Sequence, residues 1–130
     1  MKKHYALVTF VLVLGFLLAA CGGGGGNSSN VEAGKTLFNQ TVIGTNAGCV
    51  TCHSLEQGVT VVGPSLAGIA TTAATAEAGK SAEEFLKESI INPNAVITEG
   101  FTASVMPQNW AQVLTNAQVD QLVEYLMTLK

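Results

Sequence analysis

Three observations predict an all-α domain over residues 31–130. Two capping boxes, Ser81-Ala82-Glu83-Glu84 and Thr115-Asn116-Ala117-Gln118, set a hydroxyl residue three positions before Glu or Gln. That arrangement satisfies the orphan donors of a helix N-terminus reciprocally. The apolar residues beyond each box recur at intervals of three and four, the period of a helix with one buried face. No stretch shows the bounded alternation that marks a strand, and there is no internal repeat. At 130 residues the chain has room for one domain.

Ahead of that domain, residues 1–4 are basic and residues 5–20 form an apolar run of 16. A membrane span needs about 20 apolar residues, so residues 1–20 fit a secretory leader, with an uncleaved anchor helix as the alternative. The run ends in Leu18-Ala19-Ala20-Cys21, which resembles the lipobox of bacterial lipoproteins. The resemblance implies cleavage before Cys21, acylation of that cysteine and anchoring in the lipid bilayer. Several fatty chains would make the anchoring effectively permanent, where one alone is marginal. Residues 22–30 hold only Gly, Ser and Asn, so residues 21–30 are expected to be a flexible tether. A flexible stretch of that length spans about 15–18 Å.

The first helix is expected over residues 31–40, with Val31, Gly34, Leu37 and Phe38 on one stripe. A glycine inside a helix costs about 1 kcal/mol relative to alanine, so Gly34 implies the close approach of another helix. Residues 41–48 carry two glycines and read as a loop. Residues 54–62 read as a second loop, with an apolar patch over 59–62. A short helix is expected over 66–70, and a small-residue surface loop over 71–79. The helix opened by Ser81 should run to about Ile91, with Phe85, Leu86, Ser89 and Ile90 inward, until Asn92-Pro93 stops it. Residues 94–109 look irregular and include Met106-Pro107. The last helix is expected to reach Leu129, with Val119, Leu122, Val123, Leu126 and Leu129 on its apolar face and Tyr125 beside them.

The chemistry centres on Cys49-Val50-Thr51-Cys52-His53. Two thiols three positions apart with a histidine directly after them is the attachment pattern for a c-type haem. Each thiol can add across one vinyl group, and the histidine is delivered to the iron as an axial ligand. A thioredoxin-like dithiol would need strand-helix-strand surroundings, and a zinc site would need four ligands; the sequence offers neither. An axial histidine gives its outer N–H to an acceptor that fixes the ring. Pro64, in Gly63-Pro64-Ser65-Leu66, is the expected source of that carbonyl, because proline leaves neighbouring carbonyls free; a plain turn is the alternative.

The second axial position decides between carrier and catalyst. The chain has 2 His, and His4 belongs to the leader, so His53 has no histidine counterpart in the domain. Met106 sits in the irregular segment before a proline and is the expected ligand. Met127 lies in the last helix, where methionine more often fills core. Lysine ligation and an open site are the remaining alternatives. His/Met ligation raises the reduction potential and suits one-electron transfer. Trp110, Asn109 and Tyr125 are candidates for the haem edge or its propionates, and equally for core.

Taken together, these motifs resemble the class I cytochromes c, small all-α proteins with one haem. The resemblance spans residues 31–130 and rests on Cys49, Cys52, His53, on Gly63-Pro64-Ser65-Leu66, on Met106-Pro107 and on the terminal helix. It implies that the first and last helices cross, with Gly34 and Phe38 meeting Leu122 and Tyr125. The stretch from Glu88-Ser89-Ile90-Ile91-Asn92-Pro93 to Glu99-Gly100-Phe101 is similar to cytochrome domains of membrane respiratory complexes, including caa3-type oxidases and the monohaem subunit of alternative complex III. Residues 39–48 form a longer connection than in small soluble members, so cover over that haem edge is expected to differ.

Composition narrows the partners. Without the leader, four lysines and no arginine stand against nine acidic residues, a net charge of about −5. There is no basic patch for nucleic acid, and no lysine ring of the mitochondrial type. The expected function is one-electron transfer through a single covalent haem c at the outer face of a bacterial membrane. The protein would serve there as subunit or close partner of a respiratory or photosynthetic electron-transport complex. The alternatives are a free-standing tethered shuttle and an open-site haem enzyme or sensor.

Overall fold

The computed structural model describes residues 25–130, so the leader, Cys21 and residues 22–24 lie outside the described residues. Six helices and one short hairpin follow in order: α1 (Gly25–Phe38), β1 (Val42–Ile43), β2 (Asn46–Ala47), α2 (Cys49–Cys52), α3 (Ile69–Ala76), α4 (Ala82–Ile91), α5 (Trp110–Val113) and α6 (Asn116–Leu126). The class is all-α, as the sequence predicts. No helix of the described residues is long and apolar enough to cross a membrane.

The largest helix interface joins α1 and α6. Gly34 is buried there, and a Cβ on it would lie 1.9 Å from the Gln121 carbonyl oxygen and 2.9 Å from Tyr125 Cβ. Only a hydrogen fits, which explains a glycine at a position where helix propensity disfavours it. The close approach lets Phe38 stack at a tilt on Tyr125, with ring centroids 5.6 Å apart. Phe38 and Leu122 are the most completely buried large side chains, each contributing about 1.5–3 kcal/mol by burial.

Both capping boxes form. Ser81 Oγ accepts from the Glu84 N–H while the Glu84 carboxylate accepts from the Ser81 N–H, and Thr115 and Gln118 repeat the pattern on α6. Leu86 and Ile90 turn inward from α4. Phe85 and Ser89 are half-buried, and the Ser89 hydroxyl donates to the Phe85 carbonyl.

Four expectations about elements need correction. Helix α1 begins at Gly25, inside the stretch read as a tether, and Asn30 Nδ2 donates to Glu124 Oε1 on α6 at 3.0 Å. Composition counted the freedom of residues 25–30 but not a partner 94 positions away. Residues 69–76, read mostly as loop, form α3, whose Ala70 and Ala73 are buried one turn apart. Alanine is the best helix former, and a small-residue face lets α3 lie close to α4. Residues 42–47, read as loop, pair as a minimal hairpin with Ile43 buried. Helix α6 ends at Leu126 rather than Leu129, because the chain tightens at Met127 and the Leu129 carbonyl accepts from Ala70 N–H instead. A further short helix, α5, follows directly on the residues expected to be irregular, and Trp110 at its start is buried.

Candidate functional site

The site begins on α2, a single helical turn. Thr51 Oγ donates to the Gly48 carbonyl at 2.6 Å and His53 N–H to the Cys49 carbonyl at 2.9 Å. One turn places Cys49 and Cys52 on the same side of the helix. His53 then leaves the helix in an extended conformation.

The chain after His53 folds back on the same turn. The N–H groups of Val62 and Gly63 both donate to the Cys52 carbonyl, at 3.2 and 2.9 Å, and Leu66 N–H donates to the Ser54 carbonyl at 2.8 Å. This return brings the Pro64 carbonyl to 2.8 Å from His53 Nδ1. A carbonyl only accepts, so Nδ1 carries the proton, and in the neutral ring Nε2 is the nitrogen with the free lone pair. Gly63 fits beneath the ring: a Cβ there would lie 2.6 Å from His53 Cε1 and 2.9 Å from Nδ1. The sequence names Gly63 only as part of Gly63-Pro64-Ser65-Leu66 and gives it no role of its own.

Cys49, Cys52, His53 and Pro64 open on a cavity of about 440 Å³. Its wall is largely apolar, with Phe38, Leu66, Leu86, Leu122 and Leu126 from the core and Ile97, Phe101 and Val105 from the irregular segment. That size and lining are typical of a site for an extended organic group. Met106 and Pro107 also line it. Met127 is half-buried against the core beyond α6 and does not line the cavity, and neither does any lysine among the described residues. The structure thus brings Cys49, Cys52, His53, Pro64 and Met106 around one space. Gly34 and Tyr125 stand behind it at the helix crossing, while Phe38 and Leu122 serve both crossing and cavity.

Three further observations bear on what the space holds. Burial pushes the Cys49 thiol up to about 11; the neighbouring Cys52 adds to the rise and a backbone hydrogen bond opposes it. A redox dithiol needs the opposite, a lowered pKa that supplies thiolate at neutral pH. Among the described residues no group of three or more His, Cys, Asp and Glu could hold a metal ion, which leaves no zinc site there. Trp110, on the cavity wall and 3% exposed, has a buried Nε1–H with no partner among the protein atoms. An orphaned buried donor beside an apolar slot suits a ligand with a hydrophobic body and acceptor groups at its edge, as a haem with propionates has. Asn109 does not line the cavity; its Oδ1 accepts from Asn46 Nδ2 at 2.8 Å, pinning the hairpin to the start of α5.

Residues 31–130 match the family model described as Cytochrome c. Comparisons with curated proteins and with solved structures gave no significant match. Members of the matched family carry haem c covalently on a Cys-x-x-Cys-His motif and move electrons rather than catalyse, and Cys49 and Cys52 are spaced as in that motif. The residues around the cavity fit that group. With the match covering residues 31–130, more than half of the chain, the chain belongs to the cytochrome c family.

Proposed function

We propose that this protein is a one-electron carrier whose haem iron is held by His53 and Met106, and that it works at the outer face of a bacterial membrane. The observation that carries the ligand assignment is that Met106, and not Met127, lines the cavity that Cys49, Cys52 and His53 open on. The haem, when bound, supplies an iron that gains and loses a single electron. The residues of the chain do the rest. Pro64 accepts from His53 Nδ1, which would leave Nε2 to hold the iron and raise its basicity. Gly63 leaves the ring room to lie in that orientation. The apolar wall from α1, α4 and α6 excludes water, and Trp110 Nε1 is the donor available to a propionate. A histidine nitrogen and a thioether suit either oxidation state, so little rearrangement accompanies transfer.

The partner is a membrane electron-transport complex. Cys21 is the attachment point for lipid, and the donor or acceptor shares the bilayer. The described surface supports a contact without a lysine ring: Lys80 is paired with Glu77 and Glu88, and Lys87 with Asp120. The exposed residues bordering the cavity include Val62, Ile97 and Val105.

The ligand assignment is tested by spectroscopy of the oxidised protein. The weak sulfur-to-iron band near the red edge of the visible spectrum should be present, and Met106→Ala should abolish it. A band that survives Met106→Ala and disappears in Met127→Ala would move the role to Met127.

A further inference from the structure

The segment that carries Met106 is held in an unusual way. Among the described residues, no backbone hydrogen bond joins residues 96–108 to the rest of the chain; Phe101 N–H to the Thr98 carbonyl is internal to it. The segment is nonetheless part of the cavity wall, through Ile97, Phe101, Val105 and Met106. Its polar attachment comes from one side chain. Asn94 Oδ1 accepts from Ser104 N–H at 2.8 Å, and Asn94 Nδ2 donates to Ser104 Oγ at 3.0 Å. Both functional atoms of the amide thus grip one residue, ten positions on and two before Met106.

Ser104 is held in a conformation that it would not choose. Its φ is 63°, and it is the non-glycine residue with positive φ among the described residues. The left-handed region is unfavourable for a residue with a Cβ, so something outside Ser104 must hold it there. The reversal at Ser104 sets the direction in which Val105 and Met106 leave, and Met106 is the residue that must reach the cavity. Asn94 is itself well placed to serve as an anchor, because it follows Pro93, which is buried at the end of α4.

We propose that Asn94 is a positioning residue for the iron's sulfur ligand. By gripping the Ser104 N–H and hydroxyl it keeps residue 104 left-handed, and this holds Met106 against the cavity and keeps its thioether from swinging out. The inference rests on the reading of Met106 as the second axial ligand. It adds that the strength of that ligation is set by an exposed side chain which does not line the cavity.

The test uses the haem-loaded protein and imidazole as a competing ligand, monitored by loss of the sulfur-to-iron band. Asn94→Ala removes both bonds, and the imidazole concentration for half-displacement should fall about five- to tenfold, the scale of losing a hydrogen-bonded latch of this kind. Asn94→Asp keeps an acceptor for the Ser104 N–H and can accept from the Ser104 hydroxyl, so it should stay within about twofold of wild type. The far-UV unfolding midpoint is measured on the same samples. An Asn94→Ala protein that resists imidazole as wild type does would overturn the proposal. So would a fall in imidazole resistance matched by an equal loss of global stability, since that is a structural role only. If the wild type lacks the band, or Met106→Ala retains it, the ligand assignment itself fails, whatever Asn94 does.

Discussion

Replacing Gly34 by alanine would put a methyl carbon 1.9 Å from the Gln121 carbonyl oxygen and 2.5 Å from its carbon. Carbon contacts are comfortable at about 3.5–4.0 Å, so α1 would have to retreat from α6 by roughly 1.5 Å. The obstacle is backbone in the middle of a capped helix, and no side chain can swing aside to relieve it. The retreat would also loosen Phe38 on Tyr125 and on the buried face around Leu122. Overpacking of this kind costs about 1–3 kcal/mol. The aromatic pair adds about 0.5–1.5 kcal/mol. Alanine's better helix propensity returns about 1 kcal/mol. The expected result is a net loss of about 0.5–3.5 kcal/mol, centred near 2 kcal/mol, against the 5–15 kcal/mol typical of a domain. Urea unfolding of the haem-loaded protein, followed by far-UV circular dichroism, should show the midpoint falling by about 1 M. Helix propensity alone predicts the opposite sign. An alanine variant as stable as wild type, or more so, would refute the account of this crossing.

Two other outcomes are expected. The Ser81 backbone N–H, and then its hydroxyl, hold the Glu84 carboxyl below its ordinary value. A lowered folded-state pKa stabilises the fold above the ordinary glutamate value, and that contribution is lost as pH falls through the lowered one. Glu84→Gln keeps an acceptor in the capping box and has no proton to gain. The difference in urea midpoint between variant and wild type should therefore be constant near neutral pH and change only in acid; a difference independent of pH throughout would contradict this reading. In the second, Cys21→Ala should release the protein into the soluble fraction. Retention on membranes through a high-salt wash would remove the lipid anchor from the proposal.

Legibility in the sequence followed the range of the forces involved. Both capping boxes are local, each closing within four residues, and both helix starts were readable for that reason. Gly34 was readable because its local cost demanded a distant benefit, which the 1.9 Å approach to Gln121 supplies. Cys49, Cys52 and His53 were readable because thioether attachment constrains spacing along the chain. What sequence missed depends on partners far away. The start of α1 rests on Asn30 reaching Glu124, α3 on two alanines buried against the neighbouring helices, and the end of α6 on a carbonyl taken by Ala70. The grip of Asn94 on Ser104 has no sequence signal at all, since a positive φ at serine is invisible without the fold. Gly63 stands between these cases: a glycine before proline announces a turn, but not that a histidine ring will lie on it.

The central claim is that the iron is closed on both sides by this chain's own residues, which makes the protein a carrier. Exposure of the reduced, haem-loaded protein to carbon monoxide at neutral pH tests this most directly, with Met106→Ala as the open-site control. The account predicts that the visible spectrum of the wild type stays unchanged while the variant shifts promptly. A rapid and complete shift in the wild type would contradict it and would make an open-site enzyme or sensor the better reading.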